Sequence, residues 1–179
     1  MRVDTRIELI DATLAGWRDA IGADYTGYCN HVYRVVHFCL SLHPCTGDAR
    51  DQIIIAACFH DLGIWSDHTV DYLPPSIERA AAHLRARRLA HWIPDVQAMI
   101  EFHHQLTPHL DGLRPVVEHF RQADLIDLSL GLVRCGLSRT YVGQVRSAFP
   151  NAGFHRRLVR LAVDGFSSHP LNPLPFFKW

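Results

Sequence analysis

The sequence predicts an all-α fold, and three observations predict it. Ile53-Ile54-Ile55 is the only run of three β-branched residues, and Ala56-Ala57 beside it continue a helical pattern in place of a turn. Apolar residues elsewhere recur at helical spacing, as in Val32, Val35, Val36, Cys39 and Leu40. Prolines and glycines fall where such segments begin or end. A length of 179 residues against about 150 per domain gives one compact helical domain over residues 1–179.

The elements follow in order. A first helix covers about Thr5 to Ile21, and a second runs from about Tyr25 to Leu42 and stops at Pro44. A third starts near Asp48 and ends at Gly63, read as a left-handed residue closing the helix. Trp65 to Pro75 is polar and proline-terminated, and reads as a loop over helix ends. The fourth helix spans about Ser76 to Ala90. Pro94 and Pro115 suit first turns of a fifth helix reaching His103-His104 and a sixth carrying Asp124 to Leu130. Ser138 and Asn151 are expected to cap the last two helices within 138–179. The proline-rich tail from His169 to Trp179, with its aromatics, is expected to pack on the body or on a partner subunit, which allows a homo-oligomer.

Composition excludes several classes. No apolar stretch approaches the ~20 residues of a membrane span, and the charged first residues do not read as a signal peptide, so a cytoplasmic protein without a membrane partner is expected. The 18 basic and 18 acidic residues balance, which argues against a nucleic-acid polymer and for a small-molecule partner. Five cysteines form no C-x-x-C pair and suggest neither a disulfide framework nor a thiolate zinc site. Seventeen arginines stand against one lysine, Lys178, which removes Schiff-base and phosphate-loop lysine chemistry from the body of the chain.

Chemistry concentrates in four places, each in an apolar helical context: His31, His60-Asp61, His103-His104 and Asp124. Asp61 follows Ala57-Cys58-Phe59 and Asp124 precedes Leu125-Ile126, segments that should face a core, where an unpaired carboxylate is costly. A cation shared between them would offset both costs. Neighbours about 100° apart, such as His60 and Asp61, can both reach one ion at a helix end.

These residues resemble the HD-domain superfamily of metal-dependent phosphohydrolases, whose pattern is a helical His, a His-Asp doublet and a distant Asp on one metal. His31 with Arg34-Val35 looks like the first motif, His60-Asp61-Leu62-Gly63 like the second, and Ala123-Asp124-Leu125-Ile126-Asp127 like the last, over residues 28–130. Asp71 to Ser76, His103-His104, Phe149 to His155 and the tail resemble a group of small bacterial HD-domain proteins. The resemblance implies a phosphohydrolase that cleaves a phosphoester of a small metabolite or nucleotide with metal-activated water. His31, His60, Asp61 and Asp124 are then four protein ligands, leaving two positions on an octahedral ion. Imidazole and carboxylate without thiolate suit Mn, Fe, Co, Ni or Zn, with Mg less favoured.

Around that core, Arg34 either forks onto a phosphate or belongs to the surface or the layer behind the ligands. Asp127 orients a ligand, contacts substrate or forms an ordinary salt bridge. Asp67 and His68, just beyond the doublet, are the proton-transfer candidates, and Trp65 either packs the core or borders the site and stacks on a base. Dinuclear members of the superfamily add histidines after the doublet, and His83, His103 and His104 are the candidates for a second metal. They motivate one alternative, a di-iron oxygenase or a hydro-lyase on the same scaffold; another is a non-catalytic metal- or ligand-binding domain in which the His-Asp residues survive as a structural site.

Overall fold

The computed structural model describes residues 3–109, 112 and 114–168. It is all-α, with no strand among the described residues. Ten α-helical segments follow one another there: α1 (Glu8–Ala15), α2 (Arg18–Ile21), α3 (Tyr25–Leu42), α4 (Gly47–Phe59), α5 (Gly63–Ser66), α6 (Leu73–Ala86), α7 (Ile93–Phe102), α8 (Pro115–Leu128), α9 (Arg139–Ala148) and α10 (Phe154–Ser168). No helix among them is long and apolar enough to cross a membrane. The tail expected to pack on the body lies outside the described residues.

Helix α3 is the axis of the molecule. Residues 31–39 are all buried, so α3 has neighbours on every side: α8 most extensively, then α4, with α1, α9 and α10 closing around it. Helix α7 spans the far side, against α4, α6 and α8. Ile53 to Phe59 are buried without a break, because α4 lies between α1, α3, α6 and α7. An uninterrupted apolar run therefore forms a central helix here.

Four boundaries differ from the expected ones. The first helix breaks at Gly16-Trp17 into α1 and α2. Helix α4 stops at Phe59, and His60 to Leu62 make a tight helical turn into α5, with the Leu62 amide donating to Phe59 and the Trp65 amide to Leu62. Gly63 is not left-handed. It opens α5, and a Cβ there would stand 2.4 Å from the Tyr72 carbonyl oxygen, so the glycine admits a close backbone crossing. Helix α6 begins at Leu73, ahead of the expected Ser76, with prolines in its first turn. Ser138 caps α9 as expected, its hydroxyl accepting from the Tyr141 amide at 3.2 Å. Trp65 is buried against Tyr28, ring centroids 4.7 Å apart, and its indole N–H donates to Asp24 at 3.1 Å; it is a packing residue, unavailable to a base.

Candidate metal centre

The site forms where α3, the end of α4, the end of α7 and α8 meet. His31, His60, Asp61, His103 and Asp124 are each at most 3% exposed. His31 and Arg34 share a face of α3, as Asp124 and Asp127 share a face of α8, by the three-residue helical spacing. His60-Asp61 and His103-His104 follow the last residues of α4 and α7, and both doublets turn inward.

Three imidazoles are fixed from behind through Nδ1. His60 Nδ1 lies 2.8 Å from the Ala57 carbonyl, His103 Nδ1 2.7 Å from the Ile100 carbonyl, and His31 Nδ1 2.7 Å from Asp127 Oδ2. A carbonyl only accepts, so the Nδ1 of His60 and of His103 carries hydrogen and donates, and the Nε2 of a neutral ring is left with its lone pair pointing inward. Those Nε2 atoms converge on carboxylate oxygens. His31 and His60 Nε2 are 2.9 Å apart, each 3.5–3.6 Å from Asp61 Oδ2 and 3.6–3.7 Å from Asp124 Oδ1. His103 Nε2 lies 3.5 Å from Asp61 Oδ1, yet neither atom has a hydrogen-bond partner among the described residues, and both are buried.

Buried lone pairs facing one another are costly, because each has lost its water and gained no donor. A cation converts this cost into coordination. Two ligands at right angles, each about 2.1 Å from one ion, stand about 3 Å apart, close to the His31–His60 separation. The donor set of imidazole nitrogens and carboxylate oxygens fits a divalent transition metal. Two groups, His31-His60-Asp61 and Asp61-His103-His104, each bring three ligand atoms within 4.8 Å of one another, with Asp61 common to both. His104 Nδ1 is 3.7 Å from Asp124 Oδ2, so Asp124 joins the two groups from the α8 side.

The electrostatics follow from burial and crowding. Burial raises the carboxyls of Asp61 and Asp124, but the surrounding histidines outweigh it and hold both below the usual carboxylate range. Burial pulls His60 down, while Asp61 and Asp124 overcome it and raise His60 to about 9. The two carboxylates thus favour a proton on His60 in the metal-free protein. His31 is lowered, burial outweighing Asp127, and His104 is lowered to about 3 by burial and then by His103.

The remaining predicted residues divide. Arg34 is buried and fully committed: Nε and Nη2 donate to Asp127 at 2.5 and 2.8 Å, and Nη1 donates to the Phe149 and Pro150 carbonyls. The expected phosphate fork is therefore corrected; Arg34 fixes Asp127, which fixes His31. Asp127 acts as a support behind the ligands. Asp67 and His68 are exposed at the end of α5, Asp67 accepting from Ser66 and Arg79, and the structure does not bring either into the buried cluster. His83 sits outside it as well, beside Arg87 and edge-on to Phe59, so its expected place as a second-metal ligand is corrected. His103 and His104 both face the site.

Three residues to which the sequence analysis assigns no role complete the site. Tyr72, buried at the start of α6, places its hydroxyl 2.6 Å from His104 Nε2, and burial, then the Asp61 and Asp124 carboxylates, push its phenol well above the ordinary range. Phe154 stacks on His31, centroids 4.0 Å apart. Arg121, paired with Glu118, lines a cavity of about 90 Å³ together with His103, His104 and Asp124. That cavity lies on the least buried side of the cluster, where the His104 side chain is 10% exposed. Compared with family models, curated proteins and solved structures, the chain matches none.

Proposed function

We propose that this chain is a metal-dependent hydrolase of the HD-domain type that cleaves a phosphoester of a small phosphorylated metabolite or nucleotide. The observation that carries the reading is the buried, unpartnered pair His103 Nε2 and Asp61 Oδ1 inside a ring of imidazoles locked through Nδ1. Such a ring is assembled for a cation, and the likeness of His31, His60-Asp61 and Asp124 to the HD pattern supplies the reaction class. A divalent ion there supplies a lowered water pKa and polarisation of a phosphoryl oxygen. His31, His60, Asp61 and Asp124 would hold it, with Asp127 and Arg34 keeping His31 in its tautomer. Arg121, held by Glu118, lines the approach to the cluster. The cavity there, about 90 Å³, equals about three waters at ~30 Å³ each. It suits the phosphoryl end of a substrate, with the remainder outside.

Metal analysis of protein purified without chelator or nickel, wild type against Asp61→Ala, comes first. About one divalent ion per chain, lost in the variant, supports the reading. Metal-loaded protein is then assayed on phosphomonoesters, nucleotides and cyclic nucleotides, and activity no greater than that of Asp61→Ala on every class would sink the hydrolase.

Asp61's membership of both donor groups favours a second reading, a dinuclear centre, and with iron an oxygenase on the same scaffold. Two irons per chain with oxygen uptake would select it.

A further inference from the structure

The loop between α8 and α9 is built from left-handed turns. Leu130 (φ 57°) and Gly131 (φ 80°) close α8, their amides donating to the Asp127 carbonyl at 2.9 Å and the Ile126 carbonyl at 2.8 Å. Cys135 (φ 46°) and Gly136 (φ 92°) turn the chain again before Ser138. Between this loop and α9 lies a cavity of about 640 Å³, inside the range of roughly 300–1,000 Å³ typical of small-molecule sites. It is several times larger than the cavity beside His104.

Arg134, Arg139 and Arg146 line it, and no acidic residue among the described ones does. Arg146 donates to the Leu130 carbonyl. None of the three has a carboxylate within ion-pair distance among the described residues, whereas seven other arginines do. In a chain of balanced charge, three guanidiniums gathered without a counter-charge repel one another and attract an anion. Guanidinium forks match phosphate oxygens. Leu132, 87% exposed, and Val142 add apolar surface for the rest of a ligand. Gly143 leaves the α9 wall bare, since a Cβ there would meet nothing within 4 Å.

We propose that this cavity binds a phosphorylated small molecule of nucleotide size, at a site separate from the buried His-Asp cluster. The inference goes beyond the reading of that cluster and does not depend on it. The two places nevertheless touch. Leu130 and Arg146 also line a small cavity of about 30 Å³ whose walls include Arg34, Asp127 and His155. The Asp127 carbonyl accepts from the Leu130 amide and lies 3.0 Å from His155 Nε2, while its carboxylate holds His31. A ligand that draws Arg146 from the Leu130 carbonyl therefore acts on the end of the helix that orients His31, and ligand and metal affinities are linked in both directions.

The test is calorimetric titration of the metal-replete full chain with ATP, AMP and inorganic phosphate, beside Arg134→Ala/Arg139→Ala. Both arginines are exposed, so the double variant keeps its fold, checked by helical circular dichroism and melting. The expected result is saturable binding of a nucleotide, at least tenfold weaker in the double variant and still present in chelator-treated wild type. No saturable binding by any of the three probes overturns the site. So does binding that is abolished by chelation and unchanged in the double variant, since the phosphate is then held at the metal cluster.

Discussion

Asp127 Oδ2 lies 2.7 Å from His31 Nδ1 while both carboxylate oxygens of Asp127 accept from Arg34, so one buried ion pair sets the orientation of one imidazole. The order Arg34, Asp127, His31 runs from the carbonyls of Phe149 and Pro150 to the centre of the cluster. Such support fixes the tautomer and raises the basicity of a metal-binding histidine.

Asp127→Asn should therefore weaken metal binding by about 10–100-fold. It should also destabilise the fold by about 3–5 kcal/mol, because Arg34 is left buried without its counter-charge. Denaturant titration and metal competition measure the two effects separately. A cycle of three further variants, Arg34→Met, Asp127→Leu and Arg34→Met/Asp127→Leu, should show coupling, the double costing less than the sum of the singles. Wild-type metal affinity in Asp127→Asn would mean that the Phe154 stack alone orients His31.

Asp61 and Asp124 favour a proton on His60 in the metal-free cluster. His60 is raised to about 9, and its Nε2 must lose that proton to become a ligand. Metal affinity should then rise roughly tenfold per pH unit from about pH 7 to 9 and level off above 9. For the metal-free fold the sign is opposite. A raised histidine contributes stability that is fully present below its unfolded value of 6.5 and is lost as pH rises through about 9. Competition titrations and denaturant midpoints across pH 6–10 check both slopes; a flat metal affinity over that interval would refute the protonated His60.

Much of the centre was legible in the sequence because its residues break a local rule. His31, Asp61 and Asp124 put polar groups into segments whose neighbours, Val32, Phe59 and Ile126, are core residues, and that conflict marks a site before any coordinates. The partners that resolve the conflict were not legible. Tyr72 reaches His104 only because Gly63 lets the two chain segments cross, and Phe154 reaches His31 only because α10 folds back onto α3. Arg34 was placed on the correct helix face, but its direction depends on Asp127, 93 residues away. The turn of α5 and the early start of α6 are not readable in the sequence, because Gly63 and the prolines punctuate a turn without saying which side of it is helical.

The crossing at Gly63 gives a third expectation. A Cβ there meets the Tyr72 carbonyl oxygen at 2.4 Å and Ser76 Oγ at 3.1 Å, and the carbonyl is backbone that cannot swing aside. Gly63→Ala should cost about 3 kcal/mol, at the upper end of overpacking effects, and should disturb the Tyr72–His104 contact. Gly143→Ala, with nothing within 4 Å inside a helix, should instead stabilise by about 0.5–1 kcal/mol. Melting of the two variants side by side separates strain from helix propensity, and equal effects would contradict the close approach.

The two histidines flanking the question of a second ligand group separate in the same way. Both bury an Nε2 without a hydrogen-bond partner among the described residues, but that of His103 faces Asp61 Oδ1 at 3.5 Å, whereas His83 stands beside Arg87 and Phe59, lowered to about 4 by burial and then by Arg87. His103→Ala should weaken binding of an ion at the Asp61, His103 and His104 group at least tenfold, within the range seen when an imidazole is removed or misoriented. His83→Ala should leave metal content at the wild-type level, because its ring contributes to the α4–α6 packing alone. Metal-to-protein ratios after dialysis against a weak chelator read both. Metal lost in His83→Ala and kept in His103→Ala would place the second group of ligands on α6 and would require His103 Nε2 to find its partner in ordered water.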